Sequence, residues 1–390
     1  MLQSTEMGMP IAESTGDIET NLAYLRWYSD NAQKYLAPIV TFENDTEIHE
    51  VFREPRGVVA SIIPWNFPFA NIVWQAGQSL VSGNCVVLKH SEEVPLFEKK
   101  FEQLVTESNI PKGVFSFVYG DGKVGDILVH QNIDLICFTG STNVGKYLYK
   151  VAAERFIPVV MEMGGSAPGI IFEDVDLPVV IDTVFANRFM GGAQMCDGLK
   201  RLIVHKSKFD EVVNMLKAKI EQNKIGDASD PTTVVGPLVA ERQVKALEIQ
   251  VEDAKNKGAK VIIGGKRPVG FDGAYYEQTL LTNISKDMKV WTEEVFGPVL
   301  PIITFETESE AVSLANDTIY GLGAFVFTTN SETFKRVSSQ IKSGMVSQNN
   351  LSYIKPCDPF GGYKMSGIGR EHGAYGFHDV TQVKVVAREK

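Results

Sequence analysis

Cys196 follows Gly191-Gly192-Ala193-Gln194-Met195 at the end of a helical pattern, in a segment too rich in glycine to be core. A free cysteine is most simply a small buried hydrophobe, and Cys85 and Cys137, each inside an apolar β-rich run, read that way. Cys196 admits that reading and a second one. Glycines let the backbone come close, and a backbone N–H beside a nucleophilic sulfur can hold an oxyanion. Glu162 sits among apolar neighbours in Val160-Met161-Glu162-Met163-Gly164-Gly165. It is either a satisfied acid at a turn or a desolvated carboxyl whose raised pKa suits a general base. Asn66, in Pro64-Trp65-Asn66-Phe67-Pro68, is either part of a rigid turn or an amide donor fixed at a strand's C-terminal end.

Two turns have the form that holds phosphate. Gly120-Asp121-Gly122-Lys123-Val124-Gly125 matches GxGxxG between a strand and a helix, but no acid closes the next strand at the usual distance. The next run ends in Phe138-Thr139-Gly140-Ser141-Thr142, a hydroxyl cluster where a helix begins. Helix N-terminal amides and the helix dipole favour an anion there. The residues alone do not choose between the two turns. Lys89 and Glu92, just after a strand, form either a solvated ion pair or a donor and acceptor for ribose hydroxyls.

The elements that must carry these residues alternate. Strand-like runs at 57–63, 85–89, 114–119, 134–138 and 158–161 are separated mostly by helical patterns, including 94–108 and 143–156. A second series covers 169–172, a helix over 176–190, 202–205, a helix over 207–223, 260–263, 299–305, 324–328, a helix over 331–341, and 345–347. Such alternation predicts parallel sheets covered on both faces. An amphipathic helix is expected over 17–35, carried by Ile18, Leu22, Leu25, Tyr28, Ala32 and Tyr35 and capped by Asp17. The last run, 381–387, is an orphan strand of the kind that pairs outside its own domain.

Composition narrows the partners. The 390 residues hold 38 Lys+Arg against 48 Asp+Glu, a net charge of −10, with 44% hydrophobic residues. No basic stripe suits a nucleic acid. No apolar run reaches the roughly 20 residues of a membrane span, and no signal peptide opens the chain. A cytoplasmic enzyme is the expectation. Four separated cysteines and six histidines without an HxxxH pair predict neither a disulfide framework nor a metal site.

Together these segments resemble the NAD(P)-dependent aldehyde dehydrogenase superfamily, from about Glu6 to the C-terminus. The resemblance rests on seven motifs in order: 64–68, Lys89-His90-Ser91-Glu92, Phe138-Thr139-Gly140-Ser141-Thr142, Glu162-Met163-Gly164-Gly165, Gln194-Met195-Cys196, Glu293-Glu294-Val295-Phe296-Gly297-Pro298 and Pro359-Phe360-Gly361-Gly362-Tyr363-Lys364. It implies an α/β chain with a Rossmann-like cofactor domain (1–35 and 56–164), a second α/β catalytic domain (165–366) and an oligomerisation strand element (36–55 and 380–390). By resemblance Cys196 matches the nucleophile, Glu162 the general base and Asn66 the oxyanion donor. Cofactor contacts are implied for Ile63, Pro64, Trp65, Lys89, Glu92, Gly120, Gly125, Gly140, Ser141, Met163, Glu294 and Phe296, with the turn at Ser141 nearest the pyrophosphate. The implied cofactor is NAD, with NADP possible, and the implied assembly a homodimer or homotetramer. The chain resembles a member short at its N-terminus.

Several positions depart from the family pattern. The usual Asn and Gly ahead of the nucleophile are Gly191 and Ala193, Ser166 stands for a common Lys, His90 for a common Pro, and Gln348 for an apolar residue. Succinate-semialdehyde members commonly place arginines where this chain has Met190 and Trp74, which favours a neutral aliphatic or aromatic aldehyde; Arg188, close by, keeps the semialdehyde alternative open. A truncated nucleotide-binding homologue without chemistry is the other alternative.

Overall fold

The structure is a computed structural model that describes residues 1–390. The chain forms two compact units, one of Met1–Thr15, Met163–Tyr353 and Gly362–Gly367, the other of Gly16–Glu162, Ile354–Gly361 and Ile368–Lys390. The first fifteen residues thus group with Met163–Tyr353, whereas the sequence reading joined them to the segment that follows.

In the unit that holds Gly16–Glu162, five strands lie parallel in the order Val159–Glu162, Leu135–Thr139, Val58–Ile62, Cys85–Lys89, Phe115–Phe117. Consecutive residues such as Val59 and Ala60, or Leu135 and Ile136, are fully buried, as in a sheet covered on both faces. Helices Pro95–Glu107, Gly122–Val129 and Thr142–Arg155 supply connections between them. Because the strands are parallel, their C-terminal ends share one edge. The chain leaves that edge at Ile63-Pro64-Trp65-Asn66, at Lys89 and at Thr139-Gly140-Ser141, which is where open α/β sheets bind ligands.

The long N-terminal helix runs Ile11–Leu36, so Asp17 does not cap it. The Pro10 carbonyl accepts the N–H of Ser14 at 2.9 Å, and Asp17 lies a turn further in, its Oδ1 accepting from Asn21 Nδ2 at 2.9 Å. The expected stripe also shifts. Leu22 is exposed, while Asn21, Tyr24 and Tyr28 form the buried face at helical spacing.

The same unit holds a separate antiparallel sheet in which Glu47–Pro55 lies between Ile39–Glu43 and Thr381–Glu389. The terminal strand therefore pairs within its own chain, in register from Thr381 opposite Pro55 to Glu389 opposite Glu47. Ile39, Val40, Phe42, Val383 and Val385 are exposed on this sheet.

In the unit that holds Met163–Tyr353, the strand order is Lys260–Ile263, Thr279–Thr282, Val299–Phe305, Leu199–His205, Ala167–Ile171, Phe325–Phe327, Ser347–Gln348. Only the pairing of Lys260–Ile263 with Thr279–Thr282 is antiparallel. Alternate residues feed two cores. Ile171, Leu202, Val204, Phe325 and Phe327 pack with helices Leu177–Phe189 and Phe209–Ile220. Ile170, Ile203 and Val326 pack with Trp291 and the helices Glu308–Asn316 and Ser331–Gln340. No helix of the structure is long and apolar enough to cross a membrane.

Candidate active site

The segment ahead of Cys196 has an unusual backbone. After helix Leu177–Phe189, residues Gly191, Gly192 and Ala193 all take left-handed conformations, with φ of 59°, 65° and 62°. Two glycines adopt this freely; an alanine costs about 1–2 kcal/mol there. Side chains on both sides pin the run. The Glu13 carboxylate accepts the Gly191 N–H at 2.5 Å. The fully buried Gln194 donates to Met7 O and Gly191 O, each at 3.3 Å, and accepts from Val239 N at 3.0 Å. Burial pushes the Glu13 carboxyl up to about 7, against the lowering effect of the Gly191 N–H.

Cys196 emerges from this turn half-buried, unlike the sealed Cys137. The motif glycines explain how its backbone is approached. A Cβ on Gly165 would stand 2.4 Å from Cys196 O, and one on Gly164 would stand 2.2 Å from Oε2 of Glu294. The backbone of Met163 is fixed in turn, its N–H donating to Ser366 O at 2.8 Å, while Ser366 Oγ donates to Gly164 O at 2.7 Å. Glu294 Oε1 accepts from Gly165 N at 3.1 Å and from the ammonium of Lys200. Lys200 Nζ also donates to Cys196 O at 3.0 Å and lies 5.2 Å from the Phe296 ring centroid. Met163, Cys196, Glu294 and Phe296 are thus joined in one cluster within this unit.

Asp197 follows directly. Tyr353 Oη lies 3.5 Å from both the carbonyl and Oδ2 of Asp197. Burial raises the Asp197 carboxyl, opposed by its own backbone N–H, by Lys200 and by Tyr353. Arg188 is held by backbone carbonyls through two of its three nitrogens, and Nη1 is buried without a hydrogen-bond partner. Its side chain is fully buried; Nε and Nη2 donate to Val299 O and Nη2 also to the Val295 and Gly297 carbonyls.

In the other unit, Glu162 is the last residue of strand Val159–Glu162 and is 2% exposed, and neither carboxyl oxygen has a hydrogen-bond partner. Burial first, then the nearby Glu371 carboxyl, pushes its pKa well above the ordinary carboxylate range; Arg370 opposes this. Glu371 is itself raised by burial. Asn66, Trp65 and Ile63 are buried just after strand Val58–Ile62, with Pro64 half-buried beside them. A π-helical turn, Val73–Gly77, interrupts the helix that follows, and Trp74 within it donates to Asn21 Oδ1 at 2.7 Å.

Lys89 is buried and donates to the half-exposed Glu92 at 3.2 Å. Both candidate phosphate turns form. Asp121 Oδ1 caps the helix Gly122–Val129 through Lys123 N at 2.9 Å, and Ser141 Oγ caps Thr142–Arg155 through Val144 N at 3.4 Å. Gly120 is sterically required, since a Cβ would meet Val124 Cγ2 at 2.3 Å, as is Gly140, where it would meet the Phe138 ring at 2.5 Å. Gly125 has open space around it. The sequence reading passed over Glu13, Lys200 and Glu371. Lys200 had a visible signal, a charged pair Lys200-Arg201 set within an apolar strand.

Residues 1–386 match the model of the aldehyde dehydrogenase family. The chain belongs to the aldehyde dehydrogenase family. It is 34% identical to a probable succinate-semialdehyde dehydrogenase [NADP(+)] of Sinorhizobium fredii, over 98% of this chain and 78% of that protein. It is 38% identical to aminoaldehyde dehydrogenase 1, peroxisomal, of Pisum sativum, over 99% of this chain and 78% of that one. The NAD+ complex of an aldehyde dehydrogenase from Bacillus cereus superposes with a TM-score of 0.96 at 35% identity, covering 100% of this chain and 79% of that chain. This aldehyde dehydrogenase family member is thus an oxidoreductase whose α/β sheets are those of solved relatives.

Proposed function

We propose that the protein oxidises an aldehyde to a carboxylic acid with NAD(P)+, using Cys196 as nucleophile, Glu162 as general base and Asn66 as oxyanion donor. The observation that carries this reading is the turn at 191–196, where a left-handed run held by Glu13 and Gln194 presents a half-buried cysteine next to the Glu294–Lys200 cluster.

The residues fit a dinucleotide. Lys89 and Glu92 offer a donor and an acceptor at the C-terminal sheet edge, and Ser141 opens a helix whose N-terminal amides favour a phosphate. Ile63, Pro64 and Trp65 leave the same edge, Gly120 and Gly140 shape its turns, Gly125 lies in the helix after the first of these, and Met163, Glu294 and Phe296 complete the contacts. Glu92 accepts from ribose hydroxyls and would repel a 2′-phosphate, so NAD is preferred, while Lys89 tolerates NADP. When bound, the nicotinamide ring supplies the hydride acceptor.

The chain's own residues do the rest. The Cys196 thiolate adds to the carbonyl carbon, and Asn66 Nδ2 with the Cys196 N–H stabilises the oxyanion. Loss of hydride leaves a thioester on Cys196. Glu162, kept protonated to higher pH by burial, takes a proton from water once ionised and releases the acid.

We take the substrate to be a neutral aliphatic or aromatic aldehyde. Arg188 is fully buried with Nε and Nη2 on backbone carbonyls, Met190 is apolar, and Asp197 sets a carboxyl beside Cys196. The deciding experiment is NADH formation at 340 nm across an aldehyde panel with NAD and NADP. The wild type turns over and Cys196→Ala does not; Cys196→Ala with substantial activity would remove the assignment.

A further inference from the structure

The strand Val299–Phe305 changes partner midway. Residues 299–301 pair with Thr279–Thr282, and residues 302–305 pair with Leu199–His205. Pro301 stands at the change, and it has no N–H with which to extend the first ladder. The chain leaving Thr282 turns at Asn283, whose φ is 56° and whose Nδ2 donates to Gly258 O at 2.7 Å. The two strands therefore part at their C-terminal ends, the edge where open α/β sheets bind ligands. A cleft of about 720 Å³ lies there, walled on one side by helix Phe209–Ile220. Small-molecule sites are typically about 300–1,000 Å³.

All of the lining belongs to the unit that holds Met163–Tyr353, and none of it has a part in the proposed reaction. Phe209, Val213, Ile284, Ile302 and Ile303 make the surface largely apolar. Thr282 breaks it. This residue is 6% exposed, yet its hydroxyl makes no hydrogen bond within the protein. A buried hydroxyl without a partner costs free energy unless something meets it. Lys260 is directly opposite Thr282 in the antiparallel pair, so both side chains leave the same face of the sheet. It is exposed and forms no ion pair. A second ammonium, Lys217 on the helix wall, reaches Glu221 at 3.7 Å in an exposed pair of the kind that contributes little. Against these two cations the lining has one acid, Asp210, two helical turns before Lys217.

We propose that this cleft binds an amphiphilic carboxylate, with the anion between Lys260 and the Thr282 hydroxyl and the hydrocarbon chain along Val213, Ile302 and Ile303. The hydroxyl donates to the carboxylate, Lys260 supplies the opposite charge, and the chain covers the apolar wall. A bare anion leaves that wall wet, and a neutral alcohol leaves Lys260 without a counter-charge. The acid formed in the proposed reaction is of this class, but the test follows a lysine rather than turnover and stands even if the dehydrogenase reading falls.

The test is acetylation of Lys260 by an N-hydroxysuccinimide ester, located by peptide mass, with millimolar octanoate as the probe. Octanoate slows the reaction of Lys260 at least threefold and leaves Lys335, an exposed lysine outside the cleft, within about 1.5-fold. Inorganic phosphate and 1-octanol at the same concentration each give less than half of that protection. In Thr282→Val, which keeps the shape and removes the donor, the octanoate concentration for half-protection rises at least threefold. Asp210→Asn removes the one opposing charge at an exposed position and lowers that concentration about twofold, so the proposal stays testable if Thr282→Val is unstable. Four results overturn it: no protection of Lys260, equal protection of Lys335, equal protection by phosphate or octanol, or an unchanged half-protection concentration in both variants.

Discussion

A methyl group on Gly361 would stand 2.7 Å from Oε1 of Glu162, with Arg370 Cδ equally close on another side. The Phe360-Gly361 segment therefore walls in the proposed base, and the glycine of this motif is fixed by the carboxyl it touches. Its φ of 156° adds a backbone reason. In Gly361→Ala the Glu162 carboxyl must turn away. The expected result is a fall in kcat of at least tenfold with a stability loss of about 1–3 kcal/mol, as for other overpacked sites. A pre-steady-state burst of NADH survives, because hydride loss precedes the step that needs Glu162. Stopped-flow absorbance and thermal melting check both parts.

Glu162 and Glu371 are buried together, and two such carboxyls do not both ionise readily. A raised folded-state pKa means the neutral acid is the favoured form, and the base becomes available only as pH rises. The acid limb of kcat against pH therefore lies above the ordinary carboxylate range. In Glu371→Gln the like charge is gone, so Glu162 ionises more easily and the limb moves to lower pH. Glu162→Gln removes the limb with most of the activity. Movement of the limb to higher pH in Glu371→Gln contradicts the pairing.

The parts legible in the sequence are those with a local signature. Parallel strands announce themselves as short apolar runs, so 85–89 and 299–305 coincide with observed strands, as does the antiparallel edge strand 260–263. The helix Glu241–Asn256 was missed although Val244, Leu247, Val251 and Ala254 trace a clear stripe, because its remaining residues are highly charged. The strand Thr279–Thr282 does not stand out because threonines at both ends leave only Leu280 and Leu281 apolar. The start of the helix at Ile11 is masked because Asp17 imitates a cap within it, while the true start depends on the carbonyl of Pro10. At the candidate site the motif residues are visible in the sequence, whereas the side chains that support them come from remote segments. Nothing in the local sequence says that Glu13 will meet Gly191, 178 positions later.

That Glu13–Gly191 contact has a pH signature. The Glu13 carboxyl is raised from 4.5 to about 7 by burial. The fold favours its neutral form, so its contribution is complete below pH 4.5 and is lost as pH rises through about 7. Glu13→Gln keeps an acceptor for the Gly191 N–H without the ionisation. Its melting temperature is expected to fall less between pH 5 and pH 8.5 than that of the wild type, by about 2–4 °C. Differential scanning fluorimetry across that range reads it, and parallel curves for the two proteins refute it.

Substrate charge offers the sharpest contrast. Asp197 follows the proposed nucleophile, and the two cations nearest it in sequence on either side, Arg188 and Lys200, donate to backbone carbonyls, Lys200 also to Glu294. A carboxylated aldehyde would bring a second acid to a place where the three donors of Lys200 are already taken, and burying an unpaired charge is costly. Wild-type kcat/KM is therefore higher for hexanal or benzaldehyde than for succinate semialdehyde. Asp197→Asn keeps the shape and removes the charge. It is expected to raise relative efficiency with succinate semialdehyde about three- to tenfold, since one screened like-charge contact is worth about 1 kcal/mol, and to leave hexanal within about twofold. Steady-state kinetics with both aldehydes decides it: an unchanged ratio places Asp197 away from the substrate, and a wild type that prefers succinate semialdehyde reverses the proposed class.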